Sequence, residues 1–462
     1  MKGVAPELCQ MALLSALVAG CSTYPVQMED FKGDVSSPNA PSEYDLYSKS
    51  GGNKLLALQE SGRLDQIRGR YNESSKAYSE AIAFCDQQED AALVRGEVIL
   101  DSTLAVTYGN DLALDYPMVG FERMMLHVLD GFNRLALGDV DGFGVNMRHL
   151  ERCRGRTQTI LKRNMEALQK SGKLTEKSSL YDKSYKDFMD QINKLAPGLK
   201  HSTDNVYALY LMALYREVRG DFREALAHYQ EIERIWPGKK VVSMGMNLCR
   251  GAKWPDGYGE VVVFFEEGFI PPKRTIHAKL GDVYMTLPNY AEADCLPYED
   301  GSPLLLLEGG RYRAVTSFFC DLAPLAVRSH EERLKGIIAR KYLTAGLTSG
   351  MIYLNYSFNG YVYPNPASEL LALCCGFVTA LTADIMVLAS ERPDLRSWLL
   401  LPRQVQMARF ALKGGRHELT LRSAGKSQNL SVDVSPGSKT VIYCTSAGGT
   451  MKCFSANLKT VK

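Results

Sequence analysis

Three segments of this chain share one pattern, in which an apolar helical stretch leads to a glycine and a second helical stretch follows. The segments are Leu55–Phe84, Phe121–Arg152 and Val206–Pro237, and their turn glycines are Gly69, Gly138 and Gly220. Glycine reaches the left-handed backbone conformation that ends a helix and lets the chain reverse. Units of this kind, repeated within one half of a chain, predict stacked antiparallel helical hairpins. We therefore expect a helical domain over residues 54–257.

The third segment resembles a tetratricopeptide repeat. Its consensus positions are occupied by Ala213, Gly220, Ala225, Tyr229 and Pro237. In such a repeat the small residues let the two helices approach, the glycine takes the turn, and an aromatic ring fills the gap beneath it. The resemblance implies an array of hairpins with a concave surface that binds peptides.

Three residues of the third hairpin are candidates for binding a partner. The first helix of each hairpin usually lines the concave surface, and Tyr207, Tyr210 and Arg216 lie on that helix. Aromatic and arginine side chains are common hot-spot residues at interfaces. We expect the three to contact a partner peptide; the alternative is that they only cover the solvated face of the helix.

The N-terminus predicts export and lipidation. An apolar run from Met11 to Ala19 is followed by Gly20 and Cys21. Such a run is too short to span a bilayer, and its small C-terminal residues are typical of a secretory signal. The cysteine after Val-Ala-Gly resembles the lipobox of bacterial lipoproteins, in which the thiol is lipidated; the alternative is an ordinary signal peptide with a chance cysteine. Ser22 follows where an acidic residue would indicate inner-membrane retention, so the resemblance implies the outer membrane.

Composition divides the rest of the chain. Residues 21–53 are rich in Ser, Pro, Gly, Asp and Tyr without apolar periodicity, which predicts a flexible tether. From residue 258 the pattern becomes strand-like, then helical, and finally alternating with glycine turns. We expect a signal peptide at 1–20, the tether at 21–53, the helical domain at 54–257, a mixed β then helical domain at 258–396, a small β-sandwich-like module at 397–446, and a C-terminal extension at 447–462.

The chain is therefore expected to be an α+β protein. It should contain an N-terminal tetratricopeptide-like helical hairpin array, a mixed segment, and a small C-terminal antiparallel β module. Within the mixed segment, Leu370–Ala389 is apolar except for Asp384 and is long enough to span a bilayer. Because a carboxylate costs several kcal/mol inside lipid, we expect a helix buried in the protein.

Arg396 and Trp398 lie at the expected junction of helix and β module. An arginine beside a tryptophan could clamp a partner peptide. The alternative is that Trp398 joins the β module to the preceding helix while Arg396 caps the helix carbonyls.

Charge and cysteine content exclude some classes of protein. The formal net charge is +2, which gives no support for nucleic-acid binding. Among the 11 cysteines there is no C-x-x-C pair, so zinc-ribbon and thioredoxin sites lack their basic unit. Export permits disulfides, and Cys444 and Cys453 flank a glycine turn. We expect these two cysteines to face each other across a hairpin and to be able to form a bond.

No catalytic motif is present. The seven histidines form no His-Glu-x-x-His pattern. The sequence also has no nucleophile elbow, P-loop or dinucleotide fingerprint. Glu122 and His127 lie five residues apart on one helix and could be an acid–base pair or a structural contact. We expect no enzyme activity, no metal and no cofactor.

Several segments together resemble a family of uncharacterised bacterial outer-membrane lipoproteins with tetratricopeptide-like repeats. They are Glu122–Arg148, Tyr258–Lys273, Pro393–Pro402 and the strand pair around Gly414–Leu421. The resemblance implies a location and an architecture, and it supplies no reaction. Family members tend to accompany lipoproteins that activate penicillin-binding proteins, which associates them with envelope assembly.

The expected function is a membrane-anchored scaffold for protein–protein interaction in envelope assembly. Its partners would be envelope proteins bound by the helical repeats, the membrane bound through the lipid, and possible peptidoglycan. Two alternatives remain open at this stage: a structural tether to the cell wall, and a cell-wall-modifying enzyme with an unrecognised active site.

Overall fold

A computed structural model describes residues 28, 32, 35, 53–95, 116, 120–170, 183–280, 283–296, 303–308, 312–339, 341 and 393–458. The expected signal peptide, Cys21 and Leu370–Ala389 lie outside the described residues. Among the helices that the structure describes, none combines the length and apolar character needed to cross a membrane.

Helices occupy the N-terminal part of the chain. They are α1 (Lys54–Ile67), α2 (Tyr71–Arg95), α3 (Gly120–Ala136), α4 (Val140–Lys170), α5 (Lys183–Lys194), α6 (Val206–Val218), α7 (Phe222–Ile235) and α8 (Lys240–Cys249), with the short α9 (Glu292–Cys295) further along. Residues 323–339 are also helical. Local chemistry sets the ends: α6 begins after Asn205, whose side chain accepts hydrogen bonds from the backbone N–H groups of Tyr207 and Ala208 at 3.1 and 3.2 Å.

The three predicted turns lie at the predicted glycines. Gly69, Gly138 and Gly220 have φ values of 78°, 76° and 76°. At each turn the glycine N–H donates to the carbonyl three residues earlier, and the next N–H donates to the carbonyl five residues earlier. This is the Schellman arrangement, which pairs the last carbonyls of a helix and reverses the chain. Helices α1 and α2, α3 and α4, and α6 and α7 are therefore antiparallel pairs, and each pair contacts the next.

Strands occupy the C-terminal part. They are β1 (Tyr258–Glu267), β2 (Lys273–Leu280), β3 (Val283–Tyr290), β4 (Leu305–Glu308), β5 (Tyr312–Val315), β6 (Ser317–Asp321), β7 (Gln404–Lys413), β8 (Gly415–Ser423), β9 (Lys426–Val434), β10 (Lys439–Ala447) and β11 (Thr450–Leu458). With the helices before them, they confirm the α+β class.

The strands form a central sheet, an outer sheet and a separate hairpin. The central sheet has the order β11-β10-β1-β7-β6, the outer sheet has the order β5-β4-β8-β9, and β2 pairs with β3. Within the central sheet β1 runs parallel to β10 and antiparallel to β7, with Val262 opposite both Val441 and Arg409.

Both faces of β1 are buried, because the central sheet lies between two layers. Val261 and Phe265 pack with Leu421 of the outer sheet, whereas Val262 and Phe264 belong to the core shared with the helices. Successive side chains of a strand point to opposite faces, so a strand covered on both sides carries an unbroken apolar run.

Two of the expected domain boundaries cut through the central sheet. The boundary at 396/397 separates β1 from its neighbours β7 and β10, and the boundary at 446/447 separates β10 from β11. The predictions of an independent module and of a C-terminal extension are therefore wrong, as is a purely antiparallel arrangement. Pairing between strands that are distant in sequence leaves no local signal. Domain boundaries that were predicted from composition therefore fell within the sheet.

The expectation of a free tether is also wrong at three positions. Met28 and Val35 are fully buried, and the Val35 carbonyl accepts a hydrogen bond from Nε of Arg68 at 3.1 Å. Nζ of Lys32 donates to the carbonyl of Ile270 at 3.5 Å. At these positions the segment packs on the folded body.

Candidate functional site

Tyr207 and Tyr210 were expected to face a partner, and the structure corrects this. Both side chains have no exposed surface. The hydroxyl of Tyr207 donates to Oε1 of Glu266 at 2.8 Å, and the hydroxyl of Tyr210 accepts from Nη1 of Arg409 at 3.1 Å. These tyrosines are core residues, and a partner peptide has no access to them.

Arg216 behaves differently, because it remains at the surface. Its guanidinium pairs with Glu151 at 2.7 Å and with Asp221 at 3.0 Å. Desolvation acts to lower the pKa of Arg216, and the two carboxylates outweigh it and raise the pKa. The structure therefore does not bring the three predicted groove residues together on one accessible surface.

The physical reason is that the central sheet of the same chain covers the first helices of the hairpins. Phe132 of α3 stacks on Tyr443 of β10 with ring centroids 4.3 Å apart. It also meets Phe264 of β1 edge-on at 5.3 Å, and Tyr210 of α6 meets Phe264 at 5.8 Å. The surface that the sequence assigned to a partner peptide is filled by β1 and its neighbours.

A charged cluster lies where α6 and α7 meet this sheet. Arg409 of β7 pairs with Glu217 at 2.7 Å and also contacts Glu260. Lys439 pairs with Glu217 at 2.6 Å and contacts Glu260. The hydroxyl of Tyr229 accepts from Nη1 of Arg409 at 3.0 Å and donates to Glu217. Burial acts to raise the pKa of Glu260, but Arg409 and Lys439 outweigh it and lower the pKa to about 2.

A second charged cluster joins α1 to the sheet. Arg63 has no exposed surface, and its Nη2 lies 2.7 Å from Oε2 of Glu266. The same guanidinium donates to the hydroxyls of Tyr443 and Thr445 at 3.0 and 3.2 Å, and to the carbonyl of Leu400 at 3.2 Å. The Tyr443 hydroxyl donates to Glu266 at 2.6 Å.

These two clusters are structural. Their charges balance locally, their polar atoms are paired, and their side chains are buried apart from that of Lys439, which is 12% exposed. A buried ion pair in such surroundings selects one arrangement of helix on sheet, because a shifted arrangement would leave a charge unpaired. Sequence reasoning missed them, although a signal was present: Glu260 and Glu266 have the same strand parity as Val262 and Phe264, so all four point to one buried face.

Arg396 and Trp398 are buried, which corrects the expectation that they clamp a partner. The Trp398 side chain has no exposed surface and packs edge-on against Tyr78 of α2 at 5.8 Å. Nε of Arg396 donates to Oδ1 of Asp394 at 2.8 Å, while the helix whose carbonyls it was expected to cap lies outside the described residues. Trp398 fixes the segment before β7 to the first helical hairpin.

Two buried glutamates hold the backbone of this segment. Glu60 accepts from the N–H groups of Leu399 and Leu400 at 2.6 and 3.1 Å, and Glu122 accepts from the N–H of Trp398 at 3.1 Å. Burial raises the pKa of Glu122.

Glu122 and His127 do not act on a common partner. Nδ1 of His127 lies 3.2 Å from Oδ1 of Asn146, whereas Glu122 binds Tyr116 and Trp398. Burial lowers the pKa of His127 to about 3, so the ring is neutral near pH 7. This arrangement fits the structural alternative.

Cys444 and Cys453 lie directly opposite each other on β10 and β11. The expected placement across a hairpin is confirmed. Both are free thiols in the structure, and burial raises the pKa of Cys444.

An open groove lies along β6, which is an edge strand of the central sheet among the strands that the structure describes. The groove has a volume of about 700 Å³ and is lined by Leu195, Trp236, Leu296 and Phe318 together with polar side chains. Phe318 is 40% exposed and meets Trp236 edge-on at 6.0 Å. Nζ of Lys239 lies 4.7 Å from the centre of the Phe318 ring. Sequence reasoning did not identify this groove, because its walls come from separate helices and strands.

Within the described part of the chain, no group of side chains is arranged to hold a metal ion. No protein family, curated protein or solved structure matches this chain.

Proposed function

We propose that this protein is a lipid-anchored scaffold of the bacterial envelope that binds an extended segment of a partner protein in the groove along β6. Lipidation at Cys21 rests on the lipobox-like sequence. The scaffold role is supported by the groove and by the interpretation of the helices as a tetratricopeptide-like array. The proposal includes no enzyme activity.

Repeated packing supports the tetratricopeptide-like array. A small residue lies seven positions before each turn glycine, and the three are Gly62, Gly131 and Ala213. A side-chain carbon added at Gly62 would lie 2.5 Å from the Tyr78 ring, and one added at Gly131 would lie 3.1 Å from Met147. Tyr78 and Met147 both follow their turn glycines by nine residues. The same contact between the two helices thus recurs from one hairpin to the next.

The edge of β6, which pairs with no described strand on its outer side and at which Ser317 and Phe318 are exposed, is the observation that carries the binding proposal. An edge strand presents unpaired N–H and C=O groups to which an extended peptide can add. Beside that edge, Trp236 and Phe318 offer aromatic surface for apolar side chains, and such residues are frequent binding hot spots. In this proposal the partner binds to β6, because the central sheet covers the first helices of the hairpins.

Charge indicates the chemistry of the occupant. Nζ of Lys239 lies over both aromatic rings, 5.4 Å from Trp236 and 4.7 Å from Phe318. It donates a long hydrogen bond of 3.5 Å to the carbonyl of Phe318. A docking strand would take that carbonyl and displace the ammonium, which an acidic side chain of the partner can then bind. The groove lining itself contains Lys194, Glu292 and Asp321, so the acidic residue of the partner is assigned to Lys239 at the rim. The proposed occupant is therefore an extended apolar segment that carries an acidic residue.

A photo-crosslinking amino acid placed at position 318 in living cells tests the proposal. We expect a defined adduct whose cross-linked peptide is apolar with an acidic residue. The matched control is position 222, because Phe222 is also a surface phenylalanine, 46% exposed, and lies at the start of α7, outside the residues that line the groove.

Equal crosslinking at both positions, or none at 318, would contradict the proposal. A crosslink from 318 to a second copy of this chain would also contradict it, since it would assign the edge of β6 to self-association. Replacing Phe318 by Ser should abolish the adduct formed from a photo-crosslinker at Trp236, while Phe222→Ser should leave it unchanged.

A further inference from the structure

A basic pocket opens at one end of the outer sheet. It has a volume of about 540 Å³ and is lined by Arg313 of β5, Arg422 of β8 and Lys426 of β9, with Ser427 beside them. All of its lining residues are described, and they include three cations and no acid. We call this site the basic pocket.

Two of these cations are available to a ligand. Arg313 and Arg422 are exposed, and neither pairs with a carboxylate among the described residues. Arg416 on the same strand, by contrast, lies 3.3 Å from Glu418. Arg313 and Arg422 lie on the same face of the outer sheet, because they are opposite Leu307 and Leu305 of β4. Two like charges beside one concavity, with no acid among its lining residues, suit the basic pocket to an anion.

The hydrogen bonds of Lys426 show at which end of the molecule the basic pocket lies. Nζ of Lys426 donates to Oγ of Ser446 at 3.3 Å and to the carbonyl of Thr450 at 3.5 Å. These residues flank the β10–β11 turn. A side-chain carbon added at Gly448 in that turn would lie 2.5 Å from Cβ of Val35. The basic pocket thus lies close to the place where the segment containing Met28 and Val35 packs on the body.

That segment limits how far this end can lie from a membrane. Cys21 precedes Met28 by seven residues, and seven extended residues span at most about 25 Å. If Cys21 is lipidated, as the proposed function holds, Met28 stays within this distance of the lipid, and Val35 at the β10–β11 turn follows Met28 by seven residues. Lysine and arginine close to a membrane are attracted to anionic head groups over a Debye length of about 8–10 Å.

We propose that the basic pocket binds the phosphate of an anionic phospholipid head group, with Arg313 and Arg422 as the principal ligands. The planar guanidinium donates two parallel hydrogen bonds to phosphate oxygens, which suits arginine to this ligand. Ser427, which lies opposite Arg422 on β9, adds a hydroxyl donor on the same face. The inference rests on the proposed lipid anchor for the orientation of the molecule, while the chemistry of the pocket is independent of it.

The test measures binding of the full chain carrying Cys21→Ala to vesicles, so that no acyl chain contributes. We compare phosphatidylcholine vesicles with vesicles that also contain phosphatidylglycerol, by co-sedimentation at low salt. We expect binding that depends on the anionic lipid, and about fivefold weaker binding for Arg422→Gln and for Arg313→Gln. The matched control is Arg416→Gln, which removes the same charge from the other end of β8 and should change binding less than about twofold.

Equal loss in Arg422→Gln and Arg416→Gln would overturn the proposal, because it would indicate attraction by net charge alone. Binding that is the same with and without anionic lipid would overturn it as well. A titration with inorganic phosphate separates the two sources of the group: saturation by phosphate without binding to anionic vesicles would assign the basic pocket to a soluble ligand and overturn the lipid assignment. Failure of the anchor would instead appear when the chain with Cys21 intact is absent from cell membranes, a result independent of these vesicle measurements.

Discussion

Buried charge is the feature that dominates at the scale of single residues. Arg63, Glu217, Glu266 and Arg409 have almost no exposed surface, and each has an oppositely charged partner at the boundary between helices and sheet. Moving such a charge out of water is costly, and its partners must compensate. These residues therefore determine how the helices pack on the sheet.

Replacing Arg409 by Met should lower the free energy of unfolding by about 3–5 kcal/mol. The loss follows because Glu217 and Glu260 would remain buried with Lys439 as their only cation in the cluster. Urea denaturation measures the change. The control is Arg416→Met on β8, an exposed side chain, which should change stability by less than about 0.5 kcal/mol. A loss of unfolding free energy below about 1 kcal/mol for Arg409→Met would contradict this expectation. It would mean that water enters the cluster or that Glu217 and Glu260 become protonated.

At the scale of elements, the hairpin turns are the best-defined units. Gly69, Gly138 and Gly220 share one backbone conformation and one pattern of hydrogen bonds. Because these bonds join residues three to five positions apart, each turn depends on a short stretch of sequence. This is why the turns and the helix pairs could be predicted at the right positions.

A pair of glycine substitutions separates backbone conformation from packing. Gly220→Ala should destabilise the protein by about 1–2 kcal/mol, since alanine resists the left-handed conformation. A side-chain carbon at Gly220 meets nothing within 4 Å, so the loss would be conformational. Gly155 in α4 also has nothing within 4 Å of such a carbon, and Gly155→Ala should stabilise the helix by about 0.5–1 kcal/mol. Shifts of the same sign in both variants, measured by thermal unfolding, would refute this account of the turn.

At the scale of the whole molecule, three layers lie side by side, with the helices and the outer sheet on opposite faces of the central sheet. β1 at the centre touches both other layers through alternate side chains. The groove along β6 opens at an edge of the central sheet, while the basic pocket lies at the end of the outer sheet near the β10–β11 turn, which Val35 contacts. The proposed partner and the proposed lipid would therefore use different parts of the surface.

Cys21→Ala should release the protein from the membrane fraction of cells, because the acyl chains would be absent. Fractionation with a carbonate wash measures this. Cys9→Ala is the control, since it removes a cysteine from the expected signal peptide and should leave the anchor intact. If the Cys21→Ala variant stays with the membranes after the wash, the lipobox interpretation is wrong and Leu370–Ala389 becomes the candidate anchor.

The sequence by itself determined the elements whose signals are local. Helix periodicity, glycine turns, the apolar run of β1 and the facing positions of Cys444 and Cys453 depend on residues close along the chain. The tertiary structure alone decided that β1 lies between β7 and β10, and this pairing covers Tyr207 and Tyr210. It also brought Trp236, which follows α7, to Phe318 of β6, and it placed Arg313 and Arg422 in one pocket. These contacts join residues that are tens to hundreds of positions apart in the sequence. They form because many apolar surfaces could pack together and the arrangement that buries most of them is favoured. A sequence pattern shows which residues are apolar, but it does not show which surfaces pack on each other.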